Sequence, residues 1–68
     1  MHVIVNGLSR DVAEKVTVAE LLTQLKLRSP QVAVEVNRMV VSRDRHQTHV
    51  IKPNDTIEIV TLVGGGSE

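Results

Sequence analysis

One segment of this 68-residue sequence combines the start signal and the periodicity of an amphipathic helix. Thr17 and Glu20 match a capping box, in which the threonine hydroxyl and the glutamate carboxylate each accept a hydrogen bond from a free backbone N–H. Apolar residues then recur on one helical face, at Val18, Leu21, Leu22 and Leu25. Pro30 stops the run, so the sequence predicts a helix over about residues 18–27. One such helix covers only one face of one sheet, which favours a two-layer α+β domain.

The rest of the sequence contains short β-prone runs separated by turn signals. These runs are residues 3–5, 8–13, 32–36, 39–41 and 56–63. Asn6-Gly7 favours a two-residue hairpin turn between the first two runs. The last run is the longest and most β-prone, which indicates a central strand. The element order is ββαβ(β)β, and the simplest fold that accommodates it is a β-grasp, with a mixed four- or five-stranded sheet curled around the helix.

A glycine-rich segment, Gly64-Gly65-Gly66-Ser67-Glu68, follows the last predicted strand directly. We therefore predict a β-grasp domain over residues 1–63 and a flexible C-terminal tail over residues 64–68. Fully extended, this tail reaches on the order of 17 Å. Without Cβ atoms, its glycines fit a narrow active-site channel, and a terminal glycine carboxylate is a possible acceptor of an adenylyl group. A glycine run by itself favours a passive linker.

Composition excludes several classes of function. The chain has no aromatic residue for base stacking, and its eight basic residues are balanced by eight acidic ones, so nucleic acid is not an expected partner. It has no cysteine, and no nucleophile, metal cluster or phosphate-binding loop is recognisable, so we expect neither an enzyme nor a bound metal. No signal peptide and no apolar segment of ~20 residues is present, which predicts a cytoplasmic protein without a membrane partner.

The sequence resembles the ThiS-like sulfur carriers of thiamine biosynthesis, which are ubiquitin-like β-grasp proteins. The resemblance is carried by Val3-Ile4-Val5-Asn6, Thr17-Val18-Ala19-Glu20-Leu21-Leu22, Val36-Asn37, Val40-Val41 with Arg43, and Asp55-Thr56-Ile57-Glu58-Ile59-Val60 leading into Leu62-Val63-Gly64-Gly65-Gly66. It covers essentially the whole chain. Two loop positions depart from the family pattern, because Ser42 stands where proline is common and His46 where an aromatic residue is common.

The resemblance implies a carrier whose chemistry takes place at Gly66. A ubiquitin-activating-like adenylyltransferase would use ATP to adenylate that glycine, a sulfur donor system would convert it to a thiocarboxylate, and thiazole synthase would accept the sulfur. The carrier itself would bind no cofactor. Most family members end at the glycine pair, whereas Ser67 and Glu68 follow it here. Three alternatives explain this difference: the two residues are removed, the natural chain ends at Gly66, or this copy is not an active carrier.

Strand alternation also predicts a docking surface. If Val3, Val5, Ile57 and Ile59 face the helix, then Ile4, Val60 and Leu62 face the open side of the sheet, where exposed apolar residues often mark a binding site. Two alternatives would remove this docking surface. Met1 or neighbouring long side chains could partly cover the three residues, or the strand register could be shifted by one residue.

Histidines and glutamates elsewhere in the chain offer weaker candidates for a functional site. His46 and His49 are spaced for one helical turn, but two imidazoles without a third ligand make a poor metal site, and surface or half-packed histidines are favoured. The glutamates Glu14, Glu20, Glu35 and Glu58 show no pairing that suggests acid–base catalysis.

Two other functions remain possible alternatives to the carrier of thiamine biosynthesis. The first is a related carrier, as in molybdopterin synthesis or protein modification, and the second is an interaction module with a passive tail.

Overall fold

A computed structural model describes residues 1–62 of the chain, which form a five-stranded mixed sheet with one α-helix. The elements are β1 (His2–Val5), β2 (Leu8–Asp11), α1 (Val18–Gln24), β3 (Val32–Val36), β4 (Met39–Val41) and β5 (Thr56–Thr61), with short 3₁₀ turns at Ser29–Gln31 and Arg43–Arg45. The strand order is β2-β1-β5-β3-β4. This arrangement confirms the predicted α+β β-grasp and the central position of β5. Predictions for Gly64, Gly65 and Gly66 lie outside the described residues.

Positive backbone φ angles explain the two hairpin turns. In the β1–β2 turn, Asn6 and Gly7 have φ values of 51° and 82°. In the β3–β4 turn, Asn37 and Arg38 have φ values of 53° and 70°. Two consecutive positive φ angles are characteristic of a turn whose twist matches that of the flanking strands. β2 ends at Asp11, before the predicted residue 13, because its pairing partners run out at the start of β1.

Both ends of α1 have side-chain or backbone caps. The capping box is present as predicted, with 2.8 Å from Thr17 N to Glu20 Oε1 and 3.1 Å from Glu20 N to Thr17 Oγ1. The helix ends at Gln24, however, and not at residue 27, because Lys26 adopts a left-handed conformation with a φ of 62°. The Leu27 N–H then donates to the Leu22 carbonyl at 2.8 Å, which completes a Schellman motif and turns the chain back toward the core.

The core lies between α1 and one face of the sheet and consists of aliphatic side chains. Its most deeply buried members are Val3, Val18, Leu21, Leu22, Val34, Ile51 and Ile57. Val5 and Ile59 are buried on the same face of the sheet, so the inward-facing set expected from strand alternation does face α1. The other face of the sheet carries no helix within residues 1–62.

His46 corrects the expectation of surface or half-packed histidines, because its side chain is only 2% exposed. Its Nε2 lies 3.1 Å from the carbonyl oxygen of Val41, and its Nδ1 lies 3.0 Å from the hydroxyl of Ser29. A carbonyl only accepts hydrogen bonds, so Nε2–H donates to Val41. His46 therefore ties the loop after β4 to the turn that precedes β3, while His49 is half-buried.

Candidate functional site

The central strand β5 is the last element of the described chain and the one that precedes the glycine segment in sequence. β5 runs parallel to β1, with Ile4 opposite Thr56, and antiparallel to β3, with Val32 opposite Thr61. The last described backbone hydrogen bond joins the Leu62 N–H to the Gln31 carbonyl at 2.8 Å. The described part of the chain therefore ends beside the start of β3, and in the sequence the glycine segment begins two residues after Leu62.

The side chain of Asn6 holds β5 where β1 has already turned away. Its Oδ1 accepts a hydrogen bond of 2.7 Å from the Ile59 N–H, and its Nδ2 donates one of 3.2 Å to the Ile59 carbonyl. Its backbone N–H donates to the Ile57 carbonyl at 2.9 Å. The segment that leads to the tail is consequently fixed on one side by β3 and on the other by Asn6.

The three predicted docking residues lie on the open side of the sheet but not side by side. Val60 and Leu62 are 59% and 53% exposed, whereas Ile4 is only half-buried. Ile4 pairs with Thr56, and four residues along a strand correspond to about 13 Å between Thr56 and Val60. The exposed apolar residues at the end of β5 are therefore Val60 and Leu62, with Ile4 at a distance from them.

Two glutamates that looked unrelated in the sequence face each other on this side of the sheet. Glu35 of β3 and Glu58 of β5 are directly opposite in the antiparallel ladder, and both are exposed. Residues in such a pair have Cα atoms about 4.5–5.5 Å apart. The alternation of each strand indicates that both residues are exposed. Their pairing depends on the β3–β5 register, which a local sequence pattern does not contain.

Within residues 1–62, no group of three or more His, Cys, Asp or Glu side chains is arranged to hold a metal ion. The two histidines considered as ligands differ in their surroundings, since His46 is engaged in the core and His49 is not. None of the helices in this part of the chain has the length and apolar character needed to cross a membrane.

The fold, together with the glycines that follow its central strand in sequence, defines a ubiquitin-like β-grasp domain. The model of the ThiS family matches residues 3–66. The chain belongs to this family, the sulfur carriers of thiamine biosynthesis. The crystal structure of the thiamine biosynthesis protein ThiS from Geobacter metallireducens superimposes with a TM-score of 0.84 at 36% identity, over 97% of this chain and 100% of that one.

Two kinds of curated relative also match. The sulfur carrier protein ThiS of Bacillus subtilis is 36% identical over 50 residues, which is 74% of this chain and 76% of that protein. A thiazole synthase of Paramagnetospirillum magneticum is 35% identical over all 68 residues, and one of Magnetococcus marinus is 36% identical over 66. The chain covers 21% and 20% of these two proteins, so it spans about a fifth of their length.

Proposed function

We propose that this chain carries sulfur as a thiocarboxylate at Gly66 and delivers it for the thiazole part of thiamine. The observation that supports this most is the extent of the family match, which runs through the glycine pair and stops at residue 66. The described part of the domain adds a firmly held β5 that leads toward this segment. The folded domain is bound by the partner proteins, and the glycines of the tail enter their active sites.

The chemistry at Gly66 consists of two substitutions. An oxygen of its carboxylate attacks the α-phosphate of ATP, forming an acyl adenylate and releasing pyrophosphate. A sulfur nucleophile equivalent to sulfide then attacks the acyl carbon, AMP leaves, and a thiocarboxylate remains. Transfer of that sulfur to an acceptor, with water supplying the oxygen that replaces it, returns the glycine carboxylate. ATP is bound by the activating enzyme, and the carrier contributes the reacting carboxylate without catalysing any step.

The partners follow from these steps. A ubiquitin-activating-like adenylyltransferase adenylates the tail, a sulfur donor system supplies the sulfur, and thiazole synthase receives it. The match of 100% and 97% of this chain to part of two thiazole synthases supports the last of these partners. All of these steps are expected in the cytoplasm. Because Ser67 and Glu68 follow Gly66 in this sequence, the Gly66 carboxylate is free only in a chain that ends at Gly66, either after cleavage or as its natural end.

The direct test compares two purified chains, one ending at Gly66 and one retaining Ser67 and Glu68. Each is incubated with the activating enzyme of the same organism, ATP and sulfide, and its intact mass is measured. We expect only the chain that ends at Gly66 to gain the mass of one oxygen replaced by sulfur. The longer chain is the matched control, since it also has a free carboxyl terminus. No mass gain in either chain, or an equal gain in both, would contradict the assignment to Gly66.

In the chain that ends at Gly66, a second variant tests the need for a glycine. Gly66→Ala adds a Cβ next to the reacting carboxylate while leaving residues 1–62 unchanged. We expect its charging to be at least about tenfold slower, because a channel fitted to glycine excludes that atom. Ser9→Ala, on the exposed strand β2, is the control and should charge at the native rate.

A further inference from the structure

The turn between β1 and β2 contains the one asparagine of the chain that is followed by a glycine. The other two asparagines, Asn37 and Asn54, are followed by an arginine and an aspartate. Glycine has no Cβ to hinder the approach of its backbone nitrogen to a neighbouring group. Asn6 and Gly7 are both exposed to solvent, and within the described residues no atom beyond the chain neighbours lies within 4 Å of the place where a Cβ of Gly7 would stand. The Asn6-Gly7 peptide is therefore open to water and unhindered.

The side-chain amide of Asn6 is nevertheless held in place by β5. Its Oδ1 accepts a hydrogen bond from the Ile59 N–H at 2.7 Å, and its Nδ2 donates to the Ile59 carbonyl at 3.2 Å. A bond between Asn6 Cγ and the Gly7 nitrogen closes a ring within the turn, so the amide has to leave Ile59 before the bond can form. The folded state thus restrains a reaction that the local sequence favours.

We propose that Asn6 is a site of spontaneous deamidation, and that the reaction proceeds when the contacts between Asn6 and Ile59 open. The Gly7 nitrogen attacks Cγ of Asn6, and the side-chain nitrogen leaves as ammonia, together with the proton of the Gly7 N–H. Water then cleaves the cyclic imide at one of its two carbonyl carbons. Position 6 becomes an aspartate if the new bond is cleaved, and an isoaspartate if the original peptide bond is cleaved.

Both products remove the donor that satisfies the Ile59 carbonyl. In the aspartate form an oxygen replaces Nδ2, and an ionised carboxylate can only accept hydrogen bonds, so two acceptors face each other. In the isoaspartate form the main chain runs through Cγ, and the native side-chain geometry beside Ile59 is lost. Deamidation therefore weakens the hold on the C-terminal half of β5, the strand that precedes the glycine segment in sequence.

The first experiment follows the intact mass of the purified chain at neutral pH and physiological temperature, and locates the modified residue by peptide mapping. Rates are compared in native buffer, in urea below the unfolding midpoint, and in concentrated urea. In the unfolded chain we expect Asn6 to react before Asn37 and Asn54. In native buffer the rate at Asn6 should be at least about fivefold lower, because only the open fraction of molecules reacts, and sub-denaturing urea should give intermediate rates.

Gly7→Ala provides the chemical control. Measured in concentrated urea, where strain at the native φ of 82° no longer matters, it should slow the modification of Asn6 about tenfold, since a Cβ hinders the attacking nitrogen.

A second experiment tests the effect on β5. Anion exchange separates the modified chain, which carries one more negative charge, and hydrogen exchange of its Ile59 amide should be at least about fivefold faster than in the unmodified chain. Asn6→Asp supplies the aspartate form alone and should lower the urea midpoint. Asn54→Asp adds the same charge at an exposed turn and should leave Ile59 exchange within about twofold of native.

Three results would overturn the proposal: equal rates at the three asparagines of the unfolded chain, equal rates at Asn6 in the native and unfolded chains, or native protection of Ile59 in the modified chain. All of these measurements use the chain alone. Their outcome is therefore independent of whether Gly66 carries sulfur.

Discussion

The side-chain amide of Asn6 takes the place of a strand backbone beside Ile59. It accepts a hydrogen bond from the Ile59 N–H at 2.7 Å and donates one to the Ile59 carbonyl at 3.2 Å. β1 has to turn at Asn6 because the hairpin to β2 begins there, whereas β5 continues toward the tail. One side chain thus extends the parallel ladder past the end of its strand.

Removing this amide should loosen the C-terminal half of β5. We expect Asn6→Gly to lower the free energy of unfolding by about 1–2 kcal/mol, since two hydrogen bonds are lost while glycine tolerates the φ of 51°. Urea unfolding measures this change, and hydrogen exchange should show a less protected Ile59 amide. The control is Asn54→Gly, also at a positive φ, where only a longer contact to His2 is lost. Equal effects of the two substitutions would refute the role of Asn6.

The buried imidazole of His46 should contribute much more to stability than its neighbour His49. His46→Ala leaves the Val41 carbonyl without its donor and opens a cavity, for which we expect a loss of about 2–4 kcal/mol. His49→Ala, at a half-buried position, should cost less than about 1 kcal/mol. Denaturant unfolding measures the free energy of unfolding of both variants. Similar decreases for the two would show that the His46 contacts contribute little to stability.

The C-terminus of α1 offers a stabilising substitution. Lys26 occupies the left-handed position of the Schellman motif, where a side chain is unfavourable and glycine is preferred. We expect Lys26→Gly to raise the free energy of unfolding by about 0.5–1 kcal/mol. The same replacement at Gln24, the last residue of the helix, should instead lower it, by less than about 1 kcal/mol. A thermal melt of the two variants provides the comparison, and a destabilised Lys26→Gly would contradict this account of the helix end.

Features with a local cause could be predicted from the sequence. The capping box of Thr17 and Glu20 and the Asn6-Gly7 turn involve residues at most three apart, so their residue types are sufficient to indicate them. The end of α1 could not be placed in this way, because a lysine occupies the left-handed position where glycine is the usual signal. The burial of His46 likewise depends on Ser29, which is distant in sequence.

The candidate site was predictable only in part, for a similar reason. The glycine segment is visible in the composition of the chain, and strand alternation correctly indicates that Val60 and Leu62 are exposed. The distance between Ile4 and Val60 depends on the parallel β1–β5 register, and the Glu35–Glu58 pair depends on the antiparallel β3–β5 register. Registers between strands far apart in sequence are set by the packed core as a whole.

The central claim is sulfur carriage at Gly66, and the most direct measurement is the intact mass of the protein isolated from its native cells without added reductant or alkylating agent. We predict chains that end at Gly66, a fraction of which carry the mass of one oxygen replaced by sulfur. Chains that all retain Ser67 and Glu68, and that stay uncharged after incubation with ATP and extract of the same cells, would contradict it.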